Sequence, residues 1–66
     1  MKGFSVEEAK RLREAQDVAA YFSYCSEFAD DPEAQAHLAF CCYHGYGVDQ
    51  DLAQAVDWYA KAAEAG

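Results

Sequence analysis

The sequence lacks the residues that β-strands favour. Ile, Thr and Asn are absent from its 66 residues, and four Val are the only β-branched residues. Fourteen residues are Ala, the strongest helix former, whereas strands prefer β-branched and aromatic side chains. These proportions predict an all-helical chain. Because Ala buries little area, few large side chains remain for a core, and a domain this small rarely gains more than about 3–5 kcal/mol from one core.

Long apolar runs and excess positive charge are also missing. No stretch approaches the roughly 18 apolar residues that span a membrane. Residues 1–8 show no apolar signal-peptide segment, so we expect a cytoplasmic location. The formal net charge is −7, made up of +2 over residues 1–13 and −9 over residues 14–66. Such an acidic surface repels phosphate groups, so we expect neither nucleic acid nor anionic membranes as partners.

Two clusters of turn residues, Asp30-Asp31-Pro32 and segment 45–51, divide the chain into three predicted helices. The first helix is expected over about 6–29, where apolar residues recur every three or four positions apart from a longer step around Ala15. Ser5 is its expected N-cap, because Glu8 three residues later completes a capping box.

The two later helices have clear boundary signals. The second is expected over about 32–44, with Asp31 as N-cap and Gly45 ending it in the left-handed conformation. The third is expected over about 52–65, with Asp51 starting a further capping box. Together these two helices form a hairpin of a length typical of helical repeats.

The hairpin carries a regular pattern of small, glycine and aromatic positions. It resembles the Sel-1-like repeat, a relative of the tetratricopeptide repeat that builds superhelical stacks of helix pairs. The family pattern reads roughly A-x-x-x-L-G, then Y-x-x-G-x-G-V, then D-x-x-K-A-x-x-W-Y-x-K-A-A-x-x-G. Ala39, Cys42 and Gln54 depart from it, standing for Gly, Tyr and Lys. The matching residues are Ala34, Leu38, Gly45, Gly47, Val48, Asp51, Ala55, Trp58, Tyr59, Lys61, Ala62, Ala63 and Gly66.

Residues 1–30 are less similar to this pattern. A shift of 36 residues lays Ala19 on Ala55 and Phe22 on Trp58. Residues 1–30 therefore resemble the second helix of a degenerate repeat, or an N-terminal capping helix. The resemblance implies an all-α fold of three helices, in which residues 31–66 form one antiparallel hairpin of an α-solenoid behind that first helix.

The resemblance implies a non-catalytic scaffold that binds a protein or peptide and needs no cofactor. In related stacks the first helix of each pair lines a concave groove, which makes Glu33, Phe40, Tyr43 and His44 the candidate groove residues, since aromatic side chains are common interface anchors. Packing on the first helix is the alternative, which we favour for Phe40. Trp58 is expected to flank the buried stripe. The residues expected to hold the hairpin together are Ala34, Leu38, Cys42, Gly45, Gly47, Ala55, Tyr59 and Ala62.

An alternative hypothesis makes the chain a small metal-binding or thiol-redox protein. His37, Cys41 and His44 recur at i, i+4 and i+7 and so share one flank of a helix. A structural zinc site would need a fourth ligand, from Glu33 or Cys25. The sequence contains neither C-x-x-C nor H-E-x-x-H, and a buried free cysteine usually acts as a small apolar residue. A packing role for Cys41 is therefore the stronger expectation.

The third helix also presents an apolar stripe of Leu52, Val56, Tyr59 and Ala63. Each repeat in a stack buries its open face on the next one. We therefore expect either a homo-oligomer formed through this stripe or a chain truncated from a longer array.

Overall fold

The structure confirms an all-helical chain but contains four helices rather than three. The computed structural model describes residues 3–65, and within that range there is no strand. The helix predicted over about 6–29 is wrong as a single element, and the predicted match at Gly66 lies outside the described residues. No described helix is long and apolar enough to cross a membrane. The helices are α1 (Val6–Glu14), α2 (Val18–Glu27), α3 (Pro32–His44) and α4 (Leu52–Ala65).

A three-residue turn at positions 15–17 separates α1 from α2. Gln16 has a φ of +61°, the left-handed region in which a right-handed helix cannot continue. The amide of Asp17 donates to the carbonyl of Leu12 at 3.2 Å and so closes α1. Asp17 then caps α2, because its carboxylate accepts from the Ala20 amide at 3.3 Å. This break explains why the apolar pattern has a longer step around Ala15.

The predicted caps of the other helices are confirmed. The Ser5 hydroxyl accepts from the Glu8 amide at 3.2 Å and starts α1. Carboxylates of Asp31 and Asp51 accept from amides two and three residues later, at 2.9 and 3.1 Å. Gly45 ends α3 with a φ of +72°. Each of these caps depends only on residues close in sequence, which is why the pattern predicts them.

The core lies where the first three helices meet, and α3 is its central element. Ala9 of α1, Tyr21 and Cys25 of α2, and Leu38 and Cys41 of α3 form one buried cluster. Helix α3 is buried on more than one side, because it packs against α2 and, most extensively, against α4. A helix that is apolar nearly all round requires such a central place.

The loop between α3 and α4 docks on α2 through Gly47. This glycine has a φ of +73°, and a Cβ added to it would lie 2.4 Å from the Val18 carbonyl oxygen and 2.8 Å from the Phe22 Cβ. Only glycine permits both this conformation and this approach. The side-chain amide of Gln50 donates to the Tyr43 carbonyl at 2.8 Å and ties the loop back to α3. The loop therefore joins the hairpin to the helix that precedes it.

Trp58 and Tyr59 have exchanged the places expected from the sequence. Trp58 is half-buried and packs against the core cluster, whereas Tyr59 is 47% exposed. The expectation that Tyr59 belongs to the buried stripe is wrong, because the 100° step between adjacent helical residues turns Trp58 inward instead. Of the other residues expected to hold the hairpin, Ala34, Leu38, Cys42 and Ala55 are buried and Ala62 is half-buried.

Candidate functional site

A shallow groove of about 220 Å³ lies over α3, with residues of α1 and α4 on its sides. We call it the α3 groove. Its lining residues are Arg13 from α1, Ala36, His37 and Phe40 from α3, and Tyr59 from α4.

Phe40 belongs to both the groove and the core. Its ring makes edge contacts with the rings of Tyr21 and Tyr46, at centroid distances of 6.5 and 5.4 Å. On the groove side the guanidinium carbon of Arg13 lies 5.5 Å from the Phe40 ring centroid, a cation–π contact. The sequence offered packing and groove lining as alternatives for Phe40, and in the structure this residue does both.

His37 is held in a fixed orientation by buried neighbours. Its Nδ1 lies 2.7 Å from the hydroxyl oxygen of Tyr21, and the ring of Phe4 packs 5.4 Å away. Burial and the charge of Arg13 lower the pKa of His37, while Glu33 acts in the opposite direction. Burial also raises the pKa of Tyr21. At neutral pH both groups are uncharged.

The proton on His37 follows from this contact. Tyr21 is completely buried, and the Arg13 guanidinium, which can only donate, also lies within hydrogen-bonding reach of its hydroxyl. We therefore assign the hydroxyl as donor to Nδ1, which leaves the ring proton of the neutral histidine on Nε2. His37 and Arg13 then both contribute hydrogen-bond donors to the groove lining.

Arg13 supplies the positive charge of the groove. The other cations of the described chain are engaged elsewhere or exposed: Arg11 pairs with Glu8, and the Lys61 ammonium lies 4.7 Å from the Trp58 ring centroid. Arg13 forms no ion pair with a carboxylate in the part of the chain that the structure describes. The groove thus combines one half-buried cation with an apolar floor in a chain of net charge −7.

The four residues predicted for a groove spread along α3. Phe40 lines the α3 groove, and Glu33 is exposed nearer the start of the helix. Tyr43 is 50% exposed, and the His44 ring lies 4.4 Å from that of Phe40 and 4.9 Å from that of Tyr43. Phe40, Tyr43 and His44 therefore form an aromatic cluster at the C-terminal end of α3, which we call the α3 aromatic cluster.

Arg13 and Tyr59 were not among the predicted groove residues. Each follows a buried alanine, Ala9 or Ala55, by four positions, and so lies on nearly the same side of its helix as a core residue. This spacing is a usable signal. It does not reveal that both side chains meet over α3, because that depends on how α1 and α4 pack on it.

The three residues of the metal hypothesis are not brought together. His37 is bonded to Tyr21, Cys41 is completely buried in the core cluster, and His44 is exposed beside Phe40. Among residues 3–65 no three His, Cys, Asp or Glu side chains are placed to hold a metal ion, so the arrangement of these residues does not support the metal-binding alternative. Burial also raises the pKa of Cys41 to about 12, which keeps its thiol protonated and poorly reactive.

These features define a class of protein, the helical repeat proteins. The hairpin of α3 and α4 turns through a two-glycine loop and docks through that loop on the preceding helix, as a unit of an α-solenoid does. The family model described as Sel1 repeat matches residues 32–66, and the chain belongs to the Sel1 repeat family. The resemblance found in the sequence is thereby confirmed. No curated protein and no solved structure matched the chain.

Proposed function

We propose that the chain is a non-catalytic protein–protein interaction module that binds a peptide segment of its partner across the α3 groove and the α3 aromatic cluster. Sel1 repeats generally mediate protein–protein interactions, and the family is generally non-catalytic. The observation that carries the proposal is the exposure of aromatic side chains beside the groove: Tyr43 is 50% exposed and Tyr59 is 47% exposed.

A single exposed aromatic residue needs no special explanation. Here, however, Tyr59 lines the groove together with Phe40, and Tyr43 contacts His44, whose ring packs on Phe40. Clustered apolar surface rimmed by polar groups is typical of interaction sites, and aromatic residues dominate binding energy at such sites. This arrangement supports a peptide or protein partner rather than a small substrate.

Selection from a random peptide display library tests this proposal. We expect selected peptides to bind the wild type and to bind at least about tenfold more weakly when Tyr43 and Tyr59 are both changed to Ser, because interface tyrosines often contribute more than about 1–2 kcal/mol each. Val6→Ser is the matched control, since Val6 is 42% exposed on α1 outside the groove. Peptides that bind the tyrosine variant and the wild type equally would contradict the proposal.

We further propose that α4 mediates self-association. Its outward side, which we call the α4 face, consists of Leu52, Val56, Tyr59 and Ala63; the first three are 54%, 66% and 47% exposed. A contiguous apolar helix face of this kind favours burial against a second surface. A second copy of the chain carries the same face, so an isologous contact would bury the faces of both copies.

Residues 1–30 are proposed to act as a cap on the hairpin. Tyr21 and Cys25 of α2 share the core cluster with Leu38 and Cys41 of α3, and Gly47 of the hairpin loop docks on α2. These contacts support a cap that shields one side of the repeat and leaves the α4 face open.

A further inference from the structure

We infer that the α3 groove binds the C-terminal residue of the partner chain, with the free α-carboxylate on Arg13 and a large apolar side chain on Phe40 and Tyr59. This inference rests on the proposed function and names the class of peptide end that the groove would accept. It follows from the size of the groove, the character of its lining and the charge balance of the chain.

The size of the groove fits about one residue. Its volume is about 220 Å³, which is less than the roughly 300–1,000 Å³ of typical small-molecule sites. A cavity of roughly 150 Å³ already accommodates a benzene ring. The groove can therefore take one large side chain with its backbone groups.

A ligand residue that complements this lining must carry both a large apolar group and a carboxylate. Ala36, Phe40 and the ring of Tyr59 present apolar surface, whereas Arg13 presents a guanidinium without a carboxylate partner in the described chain. Asp and Glu carry a carboxylate but no large apolar group. A C-terminal Phe or Leu carries both, because its side chain and its α-carboxylate are attached to the same Cα.

Arg13 is suited to a carboxylate in geometry as well as in charge. A guanidinium binds a carboxylate through two parallel N–H···O bonds, and the cation–π contact with Phe40 places the Arg13 group beside the groove. His37 also lines the groove, and its Nδ1 is occupied by the Tyr21 hydroxyl.

The charge balance favours one carboxylate over a phosphate or an acidic segment. Arg13 neutralises a single negative charge, whereas a phosphate group carries about −1.5 to −2 at neutral pH. Glu33 lies near His37, and the whole chain has a net charge of −7. Further negative charge on the ligand would be repelled, while basic residues upstream of the C-terminus would be attracted.

Titration of the complete, ¹⁵N-labelled chain by NMR tests the inference. The probe is acetyl-Lys-Ala-Lys-Phe with a free C-terminus, and the comparisons are its C-terminal amide and the same peptide extended by Gly-Gly. We expect the free acid to shift the signals of Arg13 and Tyr59 and to bind at least about tenfold more tightly than either comparison, because a hydrogen bond to a charged group is lost in both.

Two protein variants complete the test. Arg13→Gln should reduce binding of the free acid to the level of the amide, whereas Arg11→Gln removes the same charge from an exposed site outside the groove and should leave binding within about twofold. The comparison of the free-acid peptide with its C-terminal amide uses the wild-type chain alone. The inference therefore stays testable even if Arg13→Gln fails to fold.

Several results would overturn the inference. Equal binding of acid and amide would show that Arg13 does not bind a carboxylate, and tighter binding of a phosphoserine peptide amide would assign the groove to phosphate. Signals of Arg13 and His37, which line the groove but lie outside the α4 face, would show a second copy in the groove if they shifted with protein concentration alone. Each of these leaves the proposed function intact if library peptides still require Tyr43 and Tyr59, whereas failure of the library selection counts against the proposed function itself.

Discussion

Two glycines of the α3–α4 loop share a backbone conformation but differ in their surroundings. Gly45 and Gly47 have φ values of +72° and +73°. The nearest atoms to a Cβ at Gly45 would lie at an ordinary 3.5 Å, whereas at Gly47 the Val18 carbonyl oxygen would lie only 2.4 Å away. Gly45 is therefore required by conformation alone, and Gly47 by conformation and by close contact with α2.

Gly47→Ala should destabilise the chain more than Gly45→Ala does. We expect a loss of about 1–2 kcal/mol for Gly45→Ala from the left-handed φ, and of about 2–4 kcal/mol for Gly47→Ala because overpacking adds to that strain. Urea unfolding followed by circular dichroism measures both, and an unfolded Gly47→Ala chain agrees with the expectation. Equal losses for the two variants would mean that the loop moves away from α2 without cost.

His37 should make stability depend on pH. Its pKa is lowered in the folded state, so below its unfolded value of roughly 6.5 the unfolded chain binds more protons, and stability falls as the pH falls. Because the group is only half-buried, solvent screening keeps this contribution small. The urea midpoint should fall between pH 7.5 and pH 5 in the wild type and in the exposed-site control His44→Gln. The part of this fall that His37 causes should be absent in His37→Gln. An unchanged pH profile in His37→Gln would contradict it.

At the scale of single residues, the sequence predicts what local spacing determines. Ser5, Asp31 and Asp51 cap their helices as expected because each bonds an amide two or three residues later. The choice between Trp58 and Tyr59 as the inward residue was predicted wrongly. Both are aromatic neighbours in the apolar pattern, and only the packing of α4 on α3 decides between them.

At the scale of helices, the break between α1 and α2 depends on one strained residue. Gln16 adopts a φ of +61°, which costs a residue with a Cβ roughly 1–2 kcal/mol, and Asp17 offsets part of this cost by capping α2. Only the longer step around Ala15 marks the break in the sequence, since no Gly or Pro interrupts residues 6–29. Tertiary packing of Ala9 and Tyr21 in one cluster favours two short helices over one long helix.

Gln16→Gly should therefore stabilise the chain. Relief of the left-handed strain outweighs the roughly 0.5–1 kcal/mol that glycine costs in backbone entropy, so we expect a net gain of up to about 1 kcal/mol in the free energy of unfolding. Ala15→Gly is the matched control: Ala15 has a right-handed conformation with φ of −74°, so the same glycine should destabilise there. Thermal unfolding measures both, and a loss in Gln16→Gly would show that α1 and α2 are not separated as described.

At the scale of the whole molecule, the α4 face holds three of the five large apolar side chains that are exposed in the described chain. Val56→Lys should weaken self-association, because a charge placed in an apolar interface must be desolvated. Asp57→Asn makes the same change in net charge at the neighbouring position and should leave association unchanged. Sedimentation equilibrium over a range of concentrations gives the dissociation constant of each chain. A wild type that remains monomeric at millimolar concentration would contradict the proposal.

The sequence predicts the fold of the hairpin better than it predicts the site. The Sel1 pattern of residues 32–66 sets both helices of the hairpin and its glycine loop. The α3 groove also needs Arg13 from α1 and Tyr59 from α4, and their meeting over Phe40 depends on three helices packing together. The residue pattern of a single helix does not show which side chains of other helices it will contact.

The contact of Gly47 with α2 has a consequence for building longer arrays from this chain. A shift of 36 residues lays Val18 and Phe22, which receive Gly47, on Gln54 and Trp58 of α4. In a concatemer with residues 31–66 repeated, the second glycine of each added loop would meet the Gln54 carbonyl and the Trp58 Cβ of the unit before it. The joint is largely backbone against backbone, so it fixes the spacing and direction of successive units while leaving their outer side chains free to vary.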